Sequence, residues 1–503
     1  MHKPYRPVRR GLRTLAVMLL LAGGTPAAAL AAAPAYDLIL AGGRVVDPDS
    51  GRDEIADVGI RDGRIAAISA TPLSGGRRMD AAGMVVAPGF IDLHAHGQDP
   101  VAERLQLLDG VTTAIDMEIG TLPVADLHAR MQGHALINFG ASASHICARL
   151  QVLSAKNCGD SAAHQVSVDP AMLARGTDPQ QEARIVDLLD RDVAAGALGY
   201  GLGIEYVPGA GRREIFRIFE AAGRTGAPVF THVRSRPLDK ASGVPIAVVQ
   251  EVIADAATTG ASLQIVHIAS TGLGDVPTLL DLVKGAQAHG IDVTTEAYPY
   301  TAGSTAIGSS FFSDGWQQRN GVSYDAIQWP ATGERLTQES FERYRREQPD
   351  TAVIIHVIPP EMVDMAIADP AVSIASDGMP WTTAGEHPRG SGTFSRVLGL
   401  YVRDRKLLDL RTALAKMTIM PARRLEKVAP QMARKGRLAV GADADITVFD
   451  PARIRDGATF EKPMQPSTGI RYVLVGGVVM ARNGQVVAGQ FPGQAIRSAI
   501  APK

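Results

Sequence analysis

The chain has 503 residues, 46% hydrophobic and 20% charged, with 51 Lys and Arg against 52 Asp and Glu. That composition excludes a disordered chain and allows one large core plus a smaller one. Residues 1–31 hold five basic and no acidic residues; without them 46 Lys and Arg face 52 Asp and Glu, a net of −6 that argues against nucleic acid as a partner.

The N-terminus opens with Lys3, Arg6, Arg9, Arg10 and Arg13, then an apolar run over 15–21, then the small-residue tract TPAAALAAAPA. This is the pattern of a secretory signal peptide, with cleavage expected after Ala31. The run is shorter than the roughly 20 apolar residues a membrane span needs and no longer one follows. A periplasmic or secreted protein with no span after signal removal is therefore expected. Arg9-Arg10 suits a twin-arginine route and a plain basic leader equally. Only Cys147 and Cys158 are present. They exclude a disulfide framework, an oxidising compartment permits one bridge between them, and two unpaired thiols are the expectation.

Residues 32–86 give short strand-like runs at 38–40, 44–46, 57–61 and 65–68, separated by Gly, Asp and Pro turn signals. KGRLAVGADADITVFD and GIRYVLVGGVVMARNGQVV repeat that style near the other end, with Asn483-Gly484 as a hairpin turn. Isolated short strands bury no core, so both ends, 32–86 and 434–503, are expected to join in one β-sandwich. Residues 87–433 then form an insert with its own core. There the apolar runs GMVVAPGFIDLHAH, GVTTAIDME, ALINFGASASH, GALGYGLGIEY, APVFTHV, SLQIVHI, GIDVTTEAY and AVSIASD alternate with amphipathic stretches. Asp178-Pro179 with Gln181 reads as a capped helix start, and GRREIFRIFEAAGRTG and DVPTLLDLVKGAQAHG both stop on Gly. Eight strands with intervening helices predict an α/β fold of the (β/α)8 TIM-barrel type, with chemistry at the C-terminal ends of the strands.

Ligand-type residues fall at those ends. His94 and His96 close the first strand two residues apart, so the pleat sends both rings to one side. Glu118 ends strand two, His232 strand five, His267 strand six and Asp377 strand eight. A lone histidine is usually structural, but four of the 12 at matching strand ends reverse that reading. His128, His134, His164, His289 and His356 lie in helical, loop or turn contexts and are read as structural. Residues 303–350, between strands seven and eight, are too long for an ordinary loop. They predict a lid or small insertion, with Phe311, Phe312 and Trp316 as its apolar wall.

APGFIDLHAH and GADADITVFD resemble the amidohydrolase superfamily, and EAYPYTAGST, SDG and HPRGSGTF its N-acyl-D-amino-acid deacylase (D-aminoacylase) branch. The likeness covers nearly the whole mature chain and implies the same barrel and sandwich. It implies one or two Zn²⁺ ions, with His94 and His96 at one metal position, His232 and His267 at the other, and Asp377 as general acid/base. His232 and His267, on adjacent strands beside Glu118, are expected to hold the tighter ion. Many such deacylases offer cysteine at the end of strand two; this chain offers Glu118. A carboxylated lysine is the other superfamily solution, yet GALGYGLGIEY has no lysine. A carboxylate is a harder ligand than a thiolate and can bridge two ions.

The activity implied is hydrolysis of a linear amide in a small acylated amino acid, N-acyl-D-glutamate above others. Arg234, Arg236 and Arg389, with Tyr206, Tyr298 and Tyr300, stand after barrel strands where a substrate carboxylate would be read. The usual lysine after the strand-six histidine is replaced by Ile268-Ala269-Ser270, which hands that role to an arginine. Two other readings keep less of the pattern: a cyclic amidase or dipeptidase of hydantoinase or dihydroorotase type, and a non-catalytic binding protein on the same barrel.

Overall fold

The computed structural model describes residues 35–156, 158–159, 161–234, 244–381 and 386–501. The expected signal peptide lies outside the described residues, as does Arg236. No helix among the described residues is long and apolar enough to cross a membrane.

The chain begins as a sheet: β1 (Leu38–Asp47), β2 (Arg52–Arg61), β3 (Arg64–Ser69), β4 (Arg77–Asp80) and β5 (Val85–Pro88). It then enters a barrel through β6 (Phe90–Asp92), β7 (Val111–Thr121), β8 (Asn138–Ser144), β9 (Tyr200–Gly203), β10 (Val229–His232), β11 (Leu263–Ile265) and β12 (Val293–Ala297). An excursion follows with β13 (Ala302–Ala306), β14 (Ile327–Gln328) and β15 (Ala352–His356), before the eighth barrel strand, β16 (Val372–Ile374). β17 (Ile446–Phe449), β18 (Ile470–Val475), β19 (Val478–Arg482) and β20 (Gln485–Val486) return to the first sheet.

Strands β6 to β12 and β16 pair in parallel in sequence order. The ring closes where Ala95 bridges Gly378 and the Asp377 N–H donates to His94 O at 2.7 Å. The helices match their sequence signals. Asp178 caps Pro179–Ala194 in a capping box with Gln181, and Arg212–Thr225 stops at Gly226, whose φ of 78° suits glycine. Gly201 in β9 has a packing reason: a Cβ there would stand 2.6 Å from Glu118 O and 2.3 Å from Ser142 Oγ. The glycine-rich fourth strand thus lets β7, the strand that carries Glu118, approach closely.

β17 pairs with β5, so both chain ends share one nine-stranded sheet. Its core draws Leu40, Val58 and Val86 from the start of the chain and Ile446, Val448 and Leu474 from the end. Asn483 and Gly484 take φ of 53° and 74° in the β19–β20 turn, as the hairpin signal requires. The apolar run read as the start of strand one is split: β5 stays with the sheet and the barrel starts at β6. The tail leaves the sheet again, and Ile496, buried, donates to Phe139 O on β8.

Two expectations are corrected. Cys147 and Cys158 form a disulfide rather than two free thiols: Cys147, on the helix His145–Ser154, and Cys158 have their Cα atoms 5.2 Å apart. The excursion is a three-stranded sheet with a core of its own, and Phe312 and Trp316 are buried inside that core; of the three aromatics only Phe311 reaches the main cavity.

Candidate metal centre and substrate cavity

Side chains from five barrel strands converge at the C-terminal mouth. His94 Nε2 lies 2.9 Å and His96 Nε2 3.1 Å from Glu118 Oε2, and Asp377 Oδ1 stands 3.3 and 3.5 Å from the same two nitrogens. On the other side of Glu118, its Oε1 is 2.8 Å from His232 Nδ1, which is 3.2 Å from His267 Nε2. Two groups of donor atoms result, His94, His96, Glu118 and Asp377, and Glu118, His232 and His267. Glu118 contributes a different oxygen to each. By number of donors the first group is the fuller.

The outer nitrogens explain why these donors face inward. His94 Nδ1 donates to Glu296 Oε1 at 2.5 Å, His96 Nδ1 to Asp116 Oδ2 at 2.9 Å, and His232 Nε2 to Glu205 Oε2 at 2.7 Å. A carboxylate can only accept, so each outer nitrogen carries a proton, and a cation bound at the inner nitrogen would displace the second proton that the surrounding carboxylates otherwise favour. His267 Nδ1 meets Thr271 Oγ1 at 3.4 Å. Asp116 also accepts from the N–H groups of Ile119 and Gly120, which commits it to support rather than coordination. His267 and Asp377 take φ of 33° and 55°, a costly region for residues with a Cβ, and both sit where the chain turns off a barrel strand.

The electrostatics agree. Burial lowers the imidazolium of His94, but Asp377, Glu296 and Glu118 overcome this and raise it to about 10. Burial likewise opposes protonation of His232, and Glu118 and Glu205 raise it to about 10. Carboxylates that favour charged imidazoles make this a place for positive charge, and imidazole with carboxylate is a donor set suited to zinc. Asp377 is buried, which works against ionisation, yet the Arg389 guanidinium, 2.8 Å from Oδ2, and His94 hold it well below the usual carboxylate range.

Glu118, Glu205, Tyr206, His232, His267, Tyr298, Asp377 and Arg389 line one cavity. Arg389, 1% exposed, lies with its Cζ 4.7 Å from the Tyr298 ring, and its backbone N–H donates to His387 Nδ1 at 3.0 Å. Arg234 lines the same cavity but donates to Glu251 at 3.0 Å and to Ala210 O at 2.7 Å. It is therefore a braced cation. Tyr300 lies outside the cavity lining, against Arg396 and His387. The carboxylates behind the imidazoles, Glu205, Glu296 and Asp116, were not singled out as supports from sequence. Their signal was present for Glu296, an acidic residue inside an otherwise buried strand.

An amidohydrolase family model matches residues 77–481. The chain is 33% identical to the N-acyl-D-glutamate deacylase of Alcaligenes xylosoxydans xylosoxydans, over 88% of this chain and 93% of that one. It is 30% identical to the D-aminoacylase of the same organism, over 92% and 97%. The crystal structure of an N-acyl-D-glutamate deacylase from Bordetella bronchiseptica, complexed with zinc and a phosphonate inhibitor, superposes with a TM-score of 0.78 at 28% identity, covering 92% of this chain and 99% of that one. D-Hydantoinases share the fold at 18% identity.

Proposed function

This chain belongs to the amidohydrolase family, in its D-aminoacylase branch, and on that premise we propose that it hydrolyses the linear amide of N-acyl-D-amino acids, N-acyl-D-glutamate above others. The observation that carries the reading is Glu118, with one oxygen on each of two donor groups and Asp377 beside them in the cavity. When bound, zinc supplies Lewis-acid activation of water and of the amide carbonyl. His94, His96, Glu118, His232 and His267 would hold it, with Asp377 as a further donor beside the first pair.

The chain's own residues do the rest. Asp377, ionised at neutral pH, accepts a proton from the attacking water and delivers it to the departing amine, which leaves poorly as an anion. Tyr206, kept protonated because burial raises its pKa well above the ordinary range, offers a hydroxyl donor at the cavity wall. Arg389 orients Asp377 and presents a guanidinium to the substrate's α-carboxylate. Arg234, the other described arginine on this wall, supports a second carboxylate. The D-configuration and the glutamate side chain are supported by the relatives' activities.

The test is kcat/KM for N-acetyl-D-glutamate against N-acetyl-D-leucine, N-acetyl-L-glutamate and a hydantoin. At least tenfold preference for the first is expected. A tenfold preference for D-leucine refutes the side-chain assignment, and turnover of the hydantoin alone refutes the deacylase reading. We also propose export, supported by the leader at residues 1–31 and by the Cys147–Cys158 bridge, which suits an oxidising compartment. N-terminal sequencing should find a chain starting near Ala32; an intact Met1 in the cytosolic fraction refutes it.

A further inference from the structure

At the opposite end of the barrel, a cavity of about 260 Å³ opens among the residues that precede β10, β11, β12 and β16. Arg424 lines it and is 6% exposed. Its Nη1 donates to Asp292 Oδ1 at 2.6 Å, whereas Nε and Nη2, both buried, have no hydrogen-bond partner. Those two nitrogens form one edge of the guanidinium, with two parallel N–H bonds. The same edge of Arg44 grips Asp53 at 2.6 and 2.7 Å. Leaving a charged donor pair buried and unmet costs on the order of 1–3 kcal/mol or more, so the edge is built for something.

We propose that the floor of the barrel is a second ligand site, for a small organic carboxylate whose head sits on the Nε/Nη2 edge of Arg424. The chemistry of the wall selects that class. Two parallel N–H bonds match the two oxygens of a carboxylate. A phosphate would need donors for further oxygens, but the nearby hydroxyls are committed: Ser262 to Asp292 Oδ2 at 2.8 Å, Ser373 to Thr295 O at 3.1 Å, and Thr294 to Gln264 Oε1. Lys427, 3.7 Å from Asp292 and 84% exposed, adds positive charge at the rim. Leu93, Pro228, Met420 and Val428 offer an apolar body cavity behind the head. The inner wall, Gln264 and Thr294, also steadies Glu296, since Gln264 Nε2 donates to Glu296 Oε2 at 2.7 Å. A ligand there therefore touches the support of His94 without entering the metal cavity.

The probe is 5-bromopentanoate with the zinc-loaded protein. Anomalous bromine density in crystals should mark a site beside Arg424, separate from any at the metal centre. Calorimetry with hexanoate should show that Arg424→Lys, which keeps a cation for Asp292 but loses the paired edge, binds at this site at least tenfold more weakly. Bromine only at the metal centre overturns the proposal, as does unchanged affinity in Arg424→Lys. Inorganic phosphate displacing the bromine at equal concentration overturns the carboxylate assignment.

Discussion

Glu118→Ala tests the bridging role most directly. Removing the side chain takes one oxygen from each donor group, leaving His94, His96 and Asp377 on one side and only His232 and His267 on the other. Structural zinc in small peptides binds with about 10–16 kcal/mol, or roughly 3 kcal/mol per ligand if shared over four ligands. Since 1.4 kcal/mol is tenfold, each position should lose about 100-fold in affinity. The position left with two protein donors falls below what zinc ordinarily requires, and the one left with three does not. Metal analysis after dialysis should therefore fall from two ions per chain to one. Glu118→Cys, which restores a donor at this position, should recover a one-zinc enzyme. Two ions retained in Glu118→Ala would refute the bridge, and so would a wild-type protein that saturates at one.

Asp377→Asn should lower kcat by about 10²–10⁴-fold while at least one zinc per chain remains; near-normal turnover would remove Asp377 from the proton path. Glu205→Gln and Glu296→Gln should each weaken zinc by about 10–100-fold in a chelator competition, and unchanged affinity in both would mean the imidazoles need no support. The unfolded chain should show no reactive thiol before reduction and two after it, against the Cys147–Cys158 pair if thiols react at once. Burial lowers the Lys416 ammonium to about 7, whereas in the unfolded chain it stays protonated to about 10.4. Between those values the unfolded state binds more protons, so this residue adds stability as pH rises. The rise in urea midpoint from pH 7 to 9 should shrink in Lys416→Met, and an equal rise in both proteins would refute the assignment.

The barrel was readable because its eight strands are apolar runs of strand length separated by amphipathic stretches, some with clear caps, as in the capping box that starts Pro179–Ala194. The metal ligands were readable because His94, His96, His232, His267 and Asp377 punctuate the ends of those runs. What stayed hidden was pairing across distance. Nothing local tells that Glu205 meets His232, that Arg234 is braced by Glu251, or that Cys158 turns back to Cys147. Phe312 and Trp316 were misplaced for the same reason: an apolar aromatic in a long excursion suits a cavity wall and a private core equally, and strands β13 to β15 decide it.

The charge around the donors carries the argument for two ions further than ligand counting does. Among the described residues, Glu118 and Asp377 stand in the donor groups, and Glu205, Glu296 and Asp116 each hold the outer nitrogen of a donor imidazole. Arg389 is the cation paired directly with this set. Five carboxylates and one guanidinium leave four negative charges, and all but Glu205 belong to buried residues. Uncompensated charge in such a place costs several kcal/mol per ion. One zinc leaves the set at −2; two bring it to neutrality. Glu118 serves the two sides with different oxygens, Oε1 2.8 Å from His232 Nδ1 and Oε2 2.9 Å from His94 Nε2. The carboxylate at the end of strand two and the carboxylates behind the histidines are therefore parts of one device, and replacing Glu205 and Glu296 together by glutamine should shift the preferred load from two zinc ions toward one.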